Sequence, residues 1–320
     1  MTHPVVLEFE RPLVELERKI HEREARGEGG AEHVAELERL RRKADAVRRK
    51  ILEQLTPWQR VQIARHPGRP RPFEVVSHLV QDFVELSGDR VLGEDAGLVA
   101  GLGFLDRRRV ALLAHGRGRA GAGGRRWTLP PTAVGLRKAS RVVELAARFD
   151  LPLITLVDTA ADDAVDPLAE ARLGPALTEL LALLADLPGP SVAVILGEAY
   201  GTQGVALALA DRILCLEHAV CAPVAPEDCA LLEVGDSSRA SVAAANLRLT
   251  AEDAQTLGFA DAVIPEPPGG AHHAPKILHE QLGSTLRREL ASLRSRPVED
   301  RLAARRARLQ TLTRLIAVDR

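Results

Sequence analysis

The chain has 320 residues, 46% of them hydrophobic and 27% charged, with a formal net charge of −1. That length can bury a sizeable core and the composition excludes a disordered chain, while a charge so near zero excludes a bulk pull toward nucleic acid or anionic membrane. No window of about 18 uncharged apolar residues occurs and the first residues lack a basic-then-apolar leader, so a cytoplasmic protein with no membrane partner is expected.

Residues 10–56 are charge-dense and carry apolar positions in steps of three and four: Leu13, Leu16 and Ile20, a Gly-Glu-Gly-Gly break at 27–30, then Val34, Leu37, Leu40, Ala44, Val47, Ile51 and Leu55. One narrow stripe on each of two helices predicts a helical hairpin better suited to a partner surface than to an independent core. Thr56-Pro57-Trp58-Gln59 then places a capping hydroxyl, a proline at the first helical position and a glutamine at the third, which starts a new helix. A boundary is expected there, dividing the chain into an N-terminal helical segment 1–56, a main domain 57–294 and a C-terminal helix 295–320.

Farther on the texture changes. Leu98–Leu105 and Val110–Ala114 flank Asp-Arg-Arg-Arg as the arms of a hairpin would. Leu151–Val157 and Val192–Leu196 are continuous apolar runs, Ile213–Leu216 is a shorter one, and helical stretches at about 131–149, 168–186 and 203–210 separate them. Apolar strands alternating with helices predict an α/β core whose sheet is covered on both faces. Pro275–Arg294 and Val298–Ile316 read as a second surface helical pair, with arginines and acids interleaved as on a solvated face rather than a nucleic-acid surface. Aromatic residues at 3% leave little material for base stacking, so no nucleic-acid partner is expected.

In such an architecture function gathers in loops after the carboxyl ends of strands. Three loops qualify: His115–Arg126, Val157–Asp166 and Gly197–Gly204. The first contains G-x-G-x-x-G at Gly116, Gly118 and Gly121, but no helix opens there and Arg141 stands where a dinucleotide site needs an acid, so that reading is set aside. In the third, backbone N–H groups at a helix start could face an oxyanion, or the glycines could serve only a close helix–strand contact; spacing does not separate these. Asp158, Asp162, Asp163 and Asp166 lack the glycine and terminal glutamate of a calcium loop and read as a solvated acidic turn. Cys215, Cys221 and Cys229 lack CxxC spacing and read as small buried thiols. His66, His272 and His273 lie in turn-rich stretches without metal spacing and read as structural; no metal is expected in this chain. There is no G-x-S-x-G nucleophile motif, so any catalysis is expected from positioning and backbone donors.

Several stretches together resemble one family: FERPLVELERKI (9–20), PWQRVQIARHPGRP (57–70), FVELSGDR (83–90), LRKASR (136–141), DLPLITLVDT (150–159), VILGE (194–198) and VIPEPPGGAHHAP (263–275). In identity and order they are similar to the alpha subunits of bacterial acetyl-CoA carboxylase carboxyltransferase, from about residue 8 to the C-terminal helices. The resemblance implies a crotonase-like spiral fold and an α2β2 assembly with a beta subunit that carries the zinc and much of the acyl-CoA site. It implies transfer of the carboxyl group from carboxybiotin, on a separate biotin carboxyl carrier protein, to acetyl-CoA, giving malonyl-CoA for fatty acid synthesis. It further implies that Gly118, Arg119, Arg125 and Arg126, with Asp158, Thr159, Gly197 and Glu198, line the substrate side, and that Gly201 and Gly204 supply oxyanion-stabilising amides.

This chain departs from the family pattern in two places. Ala160-Ala161-Asp162-Asp163-Ala164-Val165 replaces Pro-Gly-Ala-Tyr-Pro-Gly, and Ala199-Tyr200-Gly201-Thr202-Gln203-Gly204-Val205 replaces Gly-Gly-Ser-Gly-Gly-Ala-Leu. Side chains where glycines are expected restrict positive φ and close backbone approach. The sequence therefore carries two readings: an active alpha subunit with a rearranged oxyanion site, or a catalytically silent paralogue with a structural or regulatory role.

Overall fold

The computed structural model describes residues 5–26, 30–116, 131–159 and 167–318. Helices α1 (Arg11–Arg26) and α2 (Ala31–Glu53) form the expected hairpin. Their stripes meet at Leu13, Leu16 and Ala44, with Ile20, Leu40, Val47 and Ile51 packed against them. Helix α3 (Pro57–Ala64) starts as its sequence dictates: the Gln59 N–H donates to Thr56 Oγ1 at 3.2 Å and the Thr56 N–H to Gln59 Oε1 at 2.9 Å. Helix α4 (Pro72–Leu79) leads into the sheet.

Strands β1 (Gln81–Glu85), β2 (Leu98–Leu105) and β3 (Arg108–His115) are antiparallel neighbours. The β2–β3 turn needs only two residues, Asp106 and Arg107, both at positive φ (49° and 63°), so Arg108 and Arg109 belong to the strand and not to the four-residue connection expected. Paired positive φ values match the right-handed twist of the flanking strands. From β3 onward the sheet is parallel. Helix α5 (Ala133–Arg148) leads to β4 (Leu153–Thr159), helix α6 (Pro167–Asp186) to β5 (Ser191–Tyr200), and helix α7 (Gly201–Leu207) to β6 (Arg212–Leu216). After β7 (Val220–Ala222) come α8 (Pro226–Val234), α9 (Ala240–Asn246), α10 (Ala251–Thr256) and β8 (Ala262–Ile264), then α11 (Pro275–Arg294) and α12 (Val298–Val318).

The strand order is β1-β2-β3-β4-β5-β6-β8, with β7 off that path beside β5. Strand β5 is ten residues long. Val192–Ile195 pair with β6, whereas Glu198–Tyr200 run past it and pair with β7. Every residue of β4 and β5 is buried, as parallel strands covered on both faces require.

The last two helices depart from the solvated pair expected. Helix α11 buries Leu278, Leu282, Leu286, Leu290 and Leu293 in the main core. On α12 the arginines turn inward: Arg305 Nη2 donates to Asp211 Oδ1 at 2.6 Å and Arg305 Nη1 to the Leu187 carbonyl at 3.2 Å, while Arg308 pairs with Asp261 at 2.7 Å. Among the described side chains of this helix, guanidinium groups reaching the carboxylates just before β6 and β8 tie it to the sheet.

Candidate active site

The parallel register brings the carboxyl ends of β3, β4 and β5 side by side, with His115 opposite Val157 and Thr159 opposite Ala199. The β4–β5 ladder slips between Val157 and Thr159. Asp158 fills the slip, its Oδ1 accepting the Glu198 N–H at 2.9 Å. Gly197 makes this possible, because a Cβ there would stand 2.2 Å from Asp158 Oδ1. The carboxylate predicted to line the substrate side thus first fixes the strand ends on which the site is built.

His115 was not among the residues expected here. It is 1% exposed, its Nδ1 lies 2.9 Å from Thr159 Oγ1, and its Nε2 has no hydrogen-bond partner among the described residues. Burial pushes its imidazole down to about 4, which the Asp95 and Asp158 charges only partly oppose, so the ring is neutral at pH 7. Asp95 in turn accepts the Gly97 N–H at 2.9 Å and both the N–H and the hydroxyl of Thr132, the capping residue of α5. The signal for His115 in the sequence was a lone polar residue closing an apolar strand run.

Gly197–Gly204 is not a loop. Gly197–Tyr200 complete β5, and α7 starts at once at Gly201, whose φ of +65° turns the chain. This left-handed position is one that glycine adopts without steric cost. The N–H groups of Gly201, Thr202 and Gln203 stand in the first turn, where a helix offers no internal acceptor. Gly204, fourth in the helix, falls where the internal ladder begins, and a Cβ on it would lie 2.9 Å from the Ala199 carbonyl carbon. That contact suits the steric role left open by spacing. Tyr200 is 2% exposed and packs into a separate cluster with Val61, Ala64, Val220, Ala225 and Leu249, next to α3 and α9.

Beneath the turn, Arg65 Nε donates to Glu198 Oε1 at 2.6 Å, and Arg65 also binds the Glu227 carboxylate. Glu198 is therefore held by the end of α3 as well as by its own strand. Gly118, Arg119, Arg125 and Arg126, and the divergent segment 160–166, lie outside the described residues.

The family-like motifs meet each other below the site. Asp89 accepts the N–H groups of Val91, Leu92 and Gly93 and is gripped by Arg137 at 2.6 and 2.8 Å. Buried Lys138 donates to Glu94 at 2.6 Å, Glu85 at 3.1 Å and the Leu98 carbonyl at 2.8 Å. Arg69 donates to the Leu196 carbonyl at 2.8 Å and pairs with Glu266, which also accepts the His218 and Ala271 N–H groups. Although burial opposes it, the Arg69 charge holds the Glu266 carboxyl at about 2.

Two expectations change. Of the three cysteines, Cys215 is buried whereas Cys221 and Cys229 are half-buried. The histidines read as scattered converge: His272 and His273 face Glu10, and the His66 ring lies against that of His272 at 4.2 Å between centroids, tilted by 35°. A surface cleft of 310 Å³ lined by Arg108, Arg287, Arg288 and Arg294 opens near Pro152, at the amino ends of β3 and β4. It stands at the wrong end of the sheet for this fold's chemistry.

A family model described as acetyl co-enzyme A carboxylase carboxyltransferase-like matches residues 6–313. The acetyl-coenzyme A carboxylase carboxyl transferase subunit alpha of Rubrobacter xylanophilus is 41% identical over 311 residues, covering 96% of each chain. That of Paramagnetospirillum magneticum is 39% identical over 292 residues, covering 90% of this chain and 92% of the relative. The fold is shared with a chain of a Pseudomonas malonate decarboxylase hetero-tetramer solved with coenzyme A, at a TM-score of 0.54 and 18% identity over 70% of this chain and 92% of that one. No helix among the described residues is long and apolar enough to cross a membrane. The architecture is the crotonase-like spiral, and the chain belongs to the acetyl-CoA carboxylase carboxyltransferase alpha-subunit family.

Proposed function

We propose that this chain works as a carboxyltransferase alpha subunit, paired with a beta subunit, in moving a carboxyl group from carboxybiotin on a carrier protein to acetyl-CoA. The observation that supports the reading is the turn at Gly201, where φ is +65° and α7 begins at the carboxyl end of β5, beside the ends of β3 and β4. Carboxybiotin would supply the activated carboxyl group, whose transfer develops negative charge on an oxygen. The Gly201, Thr202 and Gln203 amides would stabilise this charge, each such donor being worth roughly a hundredfold to a thousandfold in rate. Gly204 lets α7 approach β5 closely enough to aim them. Asp158, Gly197 and Glu198 fix the strand ends, and Thr159 holds the His115 ring.

Gly118, Arg119, Arg125 and Arg126 would meet anionic groups of the donor or of CoA. The helical segment 1–56 serves assembly with the beta subunit into α2β2, and the main domain 57–294 carries the chemistry. Helix α12 braces its sheet.

The silent-paralogue reading rested on the departures in both segments, 160–165 and 199–205, of which 160–165 lies outside the described residues. In favour of the active reading, Ala199 lies in β5 within the main core and Tyr200 is buried in the cluster with Val61 and Val220. The test is co-purification with the candidate beta subunit, followed by malonyl-CoA decarboxylation in the presence of biocytin. Turnover within about tenfold of an ordinary complex is the expected outcome; a stable complex without turnover overturns this reading in favour of the silent one.

A further inference from the structure

Outside the strand ends, one cluster has donor chemistry that the proposed reaction does not use. Glu10 lies just before α1 with its side chain 8% exposed; its Oε2 accepts the Leu7 N–H at 3.2 Å. Its Oε1 faces His272 Nε2 at 3.2 Å and His273 Nε2 at 4.0 Å. One donor atom from each of the three residues lies within 4.8 Å of the other two.

Two successive histidines rarely point the same way, and the backbone here is bent to make them do so. Gly269 and Gly270 take φ of +93° and +96°, and a Cβ on either would crowd the rings, reaching 3.0 Å from His273 Cδ2 and from His272 Nδ1. The two imidazoles end 4.3 Å apart, tilted by 47°. The His272 side chain is 4% exposed, and its Nδ1 has no hydrogen-bond partner. His66 walls the cluster without joining it: its Nε2 meets the Val5 carbonyl at 2.8 Å and its Nδ1 accepts the Gly68 N–H at 3.1 Å, so both nitrogens are committed. Arg48, whose Nε borders Gly269, is neutralised by Glu17 at 2.6 Å and Asp45 at 2.7 Å.

Two imidazoles and one carboxylate form a donor set for a borderline divalent cation, with metal–ligand distances of about 2.0–2.2 Å and a fourth coordination position left to water. Tetrahedral ligands at that distance stand about 3.4 Å apart, which the spacings here reach with small side-chain rotations. We propose that Glu10, His272 and His273 bind Zn²⁺, joining the start of the N-terminal helical pair to the loop after β8. The joined segments are 262 positions apart in sequence, so the ion would act as a clasp rather than as a participant in carboxyl transfer.

The test uses the untagged full-length chain, stripped with chelator and titrated with Zn²⁺ and with Co²⁺. One equivalent should bind, with the visible absorption of four-coordinate Co²⁺, and Zn²⁺ should raise the thermal midpoint. Loss of an outer-shell partner commonly lowers metal affinity about 10–100-fold, so loss of a ligand should lower it at least about 100-fold. His273→Asn and Glu10→Gln should each do so and abolish the thermal shift. His273, with 30% of its side chain exposed, can be replaced without opening the core, so this variant remains decisive even if His272→Asn does not fold. Binding of well under one equivalent, or binding unchanged in His273→Asn and Glu10→Gln, overturns the site and leaves the cluster a hydrogen-bonded clasp.

Discussion

Gly201 concentrates the chemical question in one backbone angle. A methyl group there would meet nothing closer than Gln203 Oε1 at 3.5 Å, so the obstacle to Gly201→Ala is the φ of +65° rather than space. Holding alanine in that region costs roughly 1–2 kcal/mol, and relaxing it turns the amide away. The expected outcome is a kcat lowered by up to roughly 100-fold with a smaller change in KM, measured in the reconstituted complex. An unchanged kcat would remove the Gly201 amide from the mechanism. His115 makes a second prediction. Its folded-state value near 4 lies below the ordinary 6.5, so its neutral form favours folding above pH 6.5 and that stability is lost as pH falls toward 4. His115→Gln should flatten the loss of denaturant stability between pH 7 and 5 by on the order of 1–2 kcal/mol. Neither point was fully legible in the sequence. The glycines were visible, but reading 197–204 as a loop made Ala199 and Tyr200 look obstructive, whereas strand extension and β7 pairing carry them into the core.

At the scale of elements, pattern and placement part company. The helical hairpin, the β2–β3 pair and the buried runs of β4 and β5 follow directly from periodicity, because burial on one stripe or on both faces imposes the spacing. The inward arginines of α12 do not. Charges at helical spacing look the same in sequence whether they face water or a carboxylate at the end of a strand. Arg305 is 2% exposed and shares Asp211 with Arg301, whose Nη1 lies 3.6 Å from Asp211 Oδ2. Arg305→Met removes one cation from a buried carboxylate and should destabilise the chain by about 3–5 kcal/mol, read as a lower midpoint in chemical denaturation. A change under about 1 kcal/mol would mean that α12 is held by its other contacts.

For the whole molecule, the ion pair between Arg69 and Glu266 joins the segment after α3, strand β5 and the loop after β8. Glu266 is ionised down to about pH 2 in the folded chain, against an ordinary value of 4.5; its contribution is complete above pH 4.5 and is lost as pH falls toward 2. Arg69→Met should cost about 3–5 kcal/mol at pH 7 and less at pH 3, where an orphaned Glu266 takes up a proton. A penalty independent of pH would show that packing, not charge, holds the node. The spiral arrangement itself was legible only through resemblance, because the strand order depends on contacts between segments far apart in the chain. Periodicity supplies the elements, not their neighbours.

The motifs that identify this chain sit in that internal wiring: Asp89 with Arg137, Lys138 with Glu85 and Glu94, Arg69 with Glu266. Losing one buried pair consumes a large share of a domain's 5–15 kcal/mol stability, whereas changing the turn at Gly201 costs only roughly 1–2 kcal/mol of it and falls mainly on turnover. Selection for a foldable chain and selection for a fast one therefore act on different residues, and a lineage could drift far in the second set while its ancestry stayed plain in the first.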